Sequence, residues 1–398
     1  MNAIMRRQSR AVLLAVGMLL AVESVSAAHA APDPLEHPAA TSDRAARAML
    51  LSVTTAGKRL VAVGEHGVIV YSDTQGKNWV QAKVPVSVSL TVVFFSDAKN
   101  GWAVGHDGVV LRSQDAGQHW EKRFDGNQAN ALMLAEAEKK LTSIRGELES
   151  KPGDADKATS PALEAAQNTL ADIQAGAKFG PSRPLLGVWF KNADEGYVVG
   201  AYGQFFHTLD GGLHWESLAN RINNPDGLHY NAISATPSGA LLISGEGGKI
   251  YRSENQGESW QTLDSGYKGQ LYGALGITHA GSEEQLLAFG FGGHILLSNA
   301  DKPAGGWQEL AIITNKNLIG GSQTSDGSVW LVAQDGSVLR SNEHAQHFTI
   351  VQQGTGLLIA GSAVLKEEAG YAEVAVAGMG GVHLISIDSG INMSGKLK

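Results

Sequence analysis

Two octapeptides of this chain carry a hydroxyl, a carboxylate, a glycine and an indole at the same offsets: Ser113, Asp115, Gly117 and Trp120, then Thr208, Asp210, Gly212 and Trp215. Carboxylates of this kind could serve as acid and base in glycoside hydrolysis if a second carboxylate faced each one across a substrate. His66 and His106 could offer imidazoles to a metal. Arg112, Arg252 and Arg340 could hold an anionic substrate. Each reading needs these side chains to converge, so the elements that carry them decide between them.

The octapeptides belong to a series. LVAVGEHGVIVYSDTQGKNW (60–79), WAVGHDGVVLRSQDAGQHW (102–120), YVVGAYGQFFHTLDGGLHW (197–215) and LLISGEGGKIYRSENQGESW (241–260) share one pattern, and further copies follow at 286–307, 330–348 and 374–393. Anchored on Gly64, Gly105, Gly200, Gly245, Gly290, Ala333 and Ala377, the seven copies are spaced by 41, 95, 45, 45, 43 and 44 residues. A period of about 40–45 residues with four strand-like runs per unit marks a β-propeller blade. In the second copy the runs are 90–95, 101–105, 109–113 and 119–124. Apolar neighbours such as Val110 with Leu111, or Phe205 with Phe206, place both faces of the third strand indoors, as a blade packed between two others requires. The expected fold is all-β: a seven-bladed β-propeller of four-stranded blades over 31–398, with one inserted α-helical hairpin.

This repetition argues against catalysis by the octapeptides. Thr74 and Asn255 replace the aspartate in two copies, Phe348 and Met393 replace the tryptophan in two others, and two extra residues precede Trp307. A turn peg tolerates such drift. The aspartate is expected to accept backbone N–H groups between third and fourth strands, the glycine to take a positive φ, and the tryptophan to wedge between blades. Arg112, Arg252 and Arg340 share one third-strand position and read as rim features that snorkel or pair. No H-E-x-x-H, G-x-S-x-G or P-loop string occurs. The chain has no cysteine, which removes disulfides and thiolate metal sites. No catalytic residue, cofactor or metal site is assigned.

Residues 126–180 interrupt the rhythm. Gln128 to Glu149 reads as a helix with Leu132, Ala135, Leu141 and Ile144 on its apolar stripe, and Pro161 to Ala175 as a second. This hairpin joins blades two and three on the face that carries the second-to-third-strand turns. Glu65, His66, His106, Asp107, Tyr202, Glu246, Phe291 and Asp335 occupy those turns, with Met379 in the last blade. Loops on a rigid scaffold are where binding usually resides, so this face is the expected partner-binding surface. The plainer alternative is a set of solvated turns capped by the hairpin.

At the N-terminus, Arg6, Arg7 and Arg10 precede an apolar run from Ala11 to Val22, and Ala28 and Ala30 form an A-x-A cleavage pattern. The run is too short for a bilayer span of ~20 residues and fits a signal peptide over 1–30. Its removal takes away three arginines and Glu23, leaving 28 basic and 38 acidic residues, a net charge of −10. That balance argues against a nucleic-acid partner and against general attraction to anionic membranes. The last blade could take its fourth strand from the tail after Ile391 or from Asp33 to Thr41.

The octapeptide resembles the Asp-box of BNR-repeat propellers. The strings GWAVGHDGVVLRSQDAGQHW and GYVVGAYGQFFHTLDGGLHW resemble Ycf48/Hcf136-like proteins, over about residues 50–393 outside the hairpin. Members in photosynthetic organisms are lumenal photosystem II assembly factors that bind membrane-protein clients without catalysis. With its hairpin, this chain looks more like a proteobacterial branch associated with RND-type exporters. The resemblance implies a monomeric, periplasmic, non-catalytic binding or assembly module for a protein at the membrane, an exporter component being a candidate client. Asp-box propellers also include sialidases, so a sialidase-like glycoside hydrolase acting on extracellular glycans is the alternative. Arg221-Ile222-Asn223 is the string nearest to the R-I-P motif of that class.

Overall fold

The computed structural model describes residues 32–150, 160–279, 283–298, 306–342, 344–368 and 371–388. The expected signal segment 1–30 and the tail after Ile391 lie outside them. All elements below belong to the compact unit Pro34–Lys398.

Seven antiparallel sheets follow one another along the chain, at 50–81, 90–124, 185–217, 230–264, 271–309, 318–352 and 359–388. Six have four strands in sequential order, and the seventh has three among the described residues. The innermost strands of successive blades touch, and that of blade seven, Ile359–Glu368, touches that of blade one, Leu50–Ala56. The closure is tight: a Cβ on Gly361 would lie 2.8 Å from Ser52 Cα. The chain is a seven-bladed all-β propeller. Residues 34–41 do not join blade seven. They lie along blades one and two, where Ala39 N–H donates to Val84 O at 3.2 Å and Leu35 is buried with Val84, Val86 and Val88.

The second strand of every blade is almost wholly buried, and so are the apolar pairs of the third strands, including Val110, Leu111, Phe205 and Phe206. Trp120 is buried as expected, whereas Trp215 is half-buried between Phe124 and Phe190. The largest wedge is one the repeat did not reveal. Trp102, on the second strand of blade two, is 0% exposed and stacks on Phe190 of blade three, with centroids 3.6 Å apart and planes at 8°.

In the third-to-fourth turns, Ser113 Oγ–H donates to Asp115 Oδ1 (2.9 Å) and Ser113 Oγ accepts from Gly117 N–H (2.9 Å). Asp115 Oδ1 accepts from His119 N–H (3.0 Å), and Trp120 Nε1–H donates to Gly117 O (3.0 Å). Blade three repeats this through Thr208, Asp210, Gly212, His214 and Trp215. In blade four Asn255 Oδ1 accepts from Ser259 N–H at 3.0 Å, and in blade one Thr74 Oγ1 accepts from Asn78 N–H at 2.8 Å. The substituted pegs therefore take the same bond. Partial burial opposes the charge on Asp210, but donors from His214 and Thr208 outweigh it and hold its pKa at about 2. Asp115 is lowered in the same way.

Three of these turns, in blades two, three and four, are also gripped by the preceding blade. Arg59 Nη1 donates to Ala116 O (3.1 Å), Arg112 Nη1 to Gly211 O (3.2 Å) and the Tyr197 hydroxyl to Gln256 O (2.7 Å). The accepting residues hold φ of 60°, 67° and 55°, a left-handed backbone that turns the carbonyl toward the neighbour.

The inserted helices run Gly126–Glu149 and Pro161–Ala177. Asp125 and Gln128 form a reciprocal capping box, which starts the first helix two residues before the sequence expectation. The buried stripe is Ala129, Met133, Ala137 and Leu141; Ala135 is exposed. The stripe follows from the angle of docking, because Ala129 and Met133 pack onto Trp102, Phe124 and Phe190 at the blade two–three boundary.

Trp102→Ala is expected to cost about 3–5 kcal/mol in urea unfolding, since it empties a fully buried interblade site. Asp210→Ala is expected to cost about 1–2 kcal/mol by freeing turn N–H groups, and Asp210→Asn less. The folded-state pKa of Asp210 lies below the unfolded value of about 3.9, so its charge-dependent stabilisation is complete above that value and is lost as pH falls toward 2. The stability gap between wild type and Asp210→Asn should therefore shrink between pH 6 and pH 2 in parallel melts.

Candidate functional site

The second-to-third-strand turns all stand at one end of the ring. In each blade the first turn residue donates its N–H to the carbonyl just ahead of the innermost strand: Glu65 to Met49, His106 to Ser89, Ala201 to Pro184, Glu246 to His229, Phe291 to Gln270, Gln334 to Asn317 and Met379 to Leu358, at 2.8–3.1 Å. The preceding glycine is dictated by space. A Cβ on Gly64, Gly105, Gly245 or Gly290 would stand 2.1–2.2 Å from that carbonyl oxygen. In blade seven this glycine is Gly378, so the repeat anchor lies one residue later than Ala377.

The same tie produces a bulge. In every blade the second residue of the innermost strand is skipped in the pairing with the second strand. The skipped residues are Leu51, Thr91, Leu186, Asn231, Tyr272, Ile319 and Ala360, and all seven line an axial cavity of about 430 Å³. A bulge of this kind re-aims a side chain. Here it gives the channel a mostly apolar mouth at the turn end. Thr91 and Asn231 use their polar groups on the next blade, donating to Leu185 O (2.7 Å) and Leu271 O (3.0 Å).

Around this mouth stand the residues singled out from sequence. Glu65, His66, His106, Tyr202 and Phe291 are exposed; Asp107, Glu246 and Asp335 are half-buried. They share one ring but do not converge on a point. Glu246 Oε2 accepts from His229 N–H (2.9 Å) and its Oε1 from Gln270 Nε2 (3.0 Å). Asp335 Oδ1 accepts from Ser337 N–H (2.9 Å). Tyr202 packs on His229 with centroids 4.7 Å apart and lies under Arg183 at 5.2 Å. His66, Asp107 and Tyr202 hold φ of 56°, 56° and 57°, a left-handed conformation costly for non-glycine residues. The corresponding residues of blades four and five are Gly247 and Gly292.

The hairpin shares this end. Gly126 sits against Asp107 and Gly108, and Glu136 accepts from Asn220 N–H at 3.3 Å. Phe179, Ile312 and Leu358, in connectors leading to innermost strands, are further exposed apolar residues here. The repeat gave no signal for them, because connectors vary between blades.

The groups a glycosidase would need are dispersed. Arg112 is buried across the blade two–three boundary, donating to Ala193 O (3.1 Å) and Gly211 O, and desolvation lowers its pKa. Arg252 pairs with Glu254, and Arg340 with Asp326. The Tyr197 hydroxyl is tied to Gln256 O and pushed well above the ordinary tyrosine range, chiefly by burial and then by Glu195. Among the described residues, no three His, Asp or Glu side chains are placed to hold a metal, and no helix is long and apolar enough to cross a membrane.

This architecture has known relatives. A sequence model of the family described as photosynthesis system II assembly factor YCF48 matches residues 71–146 and 178–285. The photosystem II assembly protein Ycf48 of Thermosynechococcus vestitus is 22% identical over 272 residues, which is 67% of this chain and 73% of that protein. A solved structure described as YCF48 bound to D1 peptide aligns with a TM-score of 0.57 at 16% identity, covering 86% of this chain and 94% of its own. YCF48 from Cyanidioschyzon merolae aligns with a TM-score of 0.57 at 15% identity, covering 89% and 99%. Over these spans the chain is similar to Ycf48 proteins.

Gly105→Ala is expected to destabilise by about 1–3 kcal/mol, because its Cβ would meet the Ser89 carbonyl. His66→Gly should stay within about 1 kcal/mol of wild type in the same denaturant titration, since relief of backbone strain offsets the added freedom of the unfolded chain.

Proposed function

We propose that this chain is a non-catalytic periplasmic module that binds, and helps to assemble, a membrane-associated protein partner through its hairpin-bearing face. An RND-type exporter component is the client we favour. The observation that carries the reading is the turn face. Tyr202, Phe291 and Met379 are 57%, 53% and 56% exposed on tightly tied turns, and exposed apolar side chains grouped on a rigid scaffold mark protein-interaction surfaces. A YCF48 whose solved structure is described as bound to D1 peptide supports peptide recognition as a use of this fold. The hairpin widens the face beside blades two and three.

The test is co-purification from native membranes with wild type and with a chain lacking 128–178. The client is expected with wild type and to fall at least tenfold with the deletion, while the ring still unfolds in one cooperative transition. Undiminished retention would overturn the assignment of the face. Turnover of aryl glycosides or sialosides, abolished by one carboxylate substitution, would overturn the non-catalytic reading. Deleting residues 1–30 should leave the protein in the cytoplasmic fraction; export without them would count against a signal peptide.

A further inference from the structure

The turn ring has a chemical order that follows the blades. Carboxylates stand on the turns of blades one, two, four and six: Glu65, Asp107, Glu246 and Asp335. Large apolar side chains stand on those of blades three, five and seven: Tyr202, Phe291 and Met379. From blade two round to blade seven the two kinds alternate. No lysine or arginine occupies the first two positions of any turn. The cations of this end lie beyond those positions and are engaged: Lys249, heading the third strand of blade four, and Lys268 both pair with Asp264, and Arg183 is over Tyr202. Inside the ring lies the apolar mouth made by Leu51, Leu186 and Ile319.

Glu246 and Asp335 are already oriented by backbone donors. A carboxylate has about four lone-pair sites, so each keeps room for a further donor. Fixed carboxylates alternating with apolar side chains complement a segment that presents ammonium or guanidinium groups alternating with large apolar groups. An anionic lipid surface would meet four like charges, and so would a second copy of this ring.

We infer that the ring docks a basic, amphipathic segment of a protein partner, with lysine or arginine side chains on the turn carboxylates and an apolar side chain in the mouth of the axial channel. This rests on the proposed binding role of the same face and specifies what the face selects. Binding should weaken as salt screens the charge pairs.

The experiment uses the full mature chain and a fluorescein-labelled 18-residue peptide of alternating leucine and lysine, read by anisotropy at 50 and 300 mM NaCl. Its comparators are the same peptide with glutamate for lysine and vesicles of phosphatidylglycerol. The lysine peptide is expected to bind at least tenfold more tightly than the glutamate peptide. Glu65→Gln with Asp335→Gln, and separately Phe291→Ser with Met379→Ser, should each weaken it at least fivefold. Leu209→Ser with Leu213→Ser, on the opposite face, should leave it unchanged. Unaltered urea midpoints would show that these substitutions leave the fold intact. Equal binding of both peptides, indifference to the ring substitutions, or preferential binding to vesicles or to a second copy would each overturn the inference. A client retained by wild type and unaffected by the ring substitutions would sink this inference while leaving the assembly role in place.

Discussion

One backbone hydrogen bond, made seven times, organises this molecule. It runs from the first residue of each second-to-third-strand turn to the carbonyl ahead of the innermost strand. To let those two backbones meet, six of the seven blades carry glycine immediately before the turn. The approach also forces one residue of the innermost strand out of register. Turn position, glycine placement and the lining of the central channel are thus consequences of one contact, repeated with the blade.

The opposite end is held differently. There the aspartate turns close on themselves, and a side chain of the preceding blade captures a carbonyl that a left-handed residue has turned outward. Such a bond spans two blades and stands where apolar packing thins toward solvent. Its net worth is about 0.5–1.5 kcal/mol each, somewhat more with a charged donor. Apolar wedges such as Trp102 on Phe190 supply the larger share. The two ends therefore divide the labour, one fixing the presentation of the turns and the other the angle between neighbours.

Much of this was written in the sequence because a propeller repeats its local rules. The G-x-x-G turns, the burial of both faces of third strands and the role of Asp115 and Asp210 could be read from seven imperfect copies. What escaped was whatever is not repeated. Trp102 has aromatic counterparts in Tyr197 and Trp330 but a valine, Val61, in blade one, so spacing alone does not reveal the stack on Phe190. The helical stripe was read only in part, with Leu141 buried but Ala135 exposed, because the stripe is chosen by the surface beneath it. The bulged residues range from Leu51 to Asn231 and Tyr272, and a position without a preferred chemistry leaves no pattern. The anchor of blade seven slipped by one residue because Ala377 and Gly378 are both small, and only the bond from Met379 to Leu358 distinguishes them.

The inserted hairpin leaves and rejoins the ring at nearly one point: a Cβ on Gly126 would stand 2.6 Å from Pro181 Cβ and 2.8 Å from Pro181 Cα. A detour whose two feet are side by side exerts no pull on the blades it interrupts. The junction is a socket, into which segments of different length can be spliced at small cost in loop-closure entropy. New attachments can be acquired there while the wheel keeps its geometry.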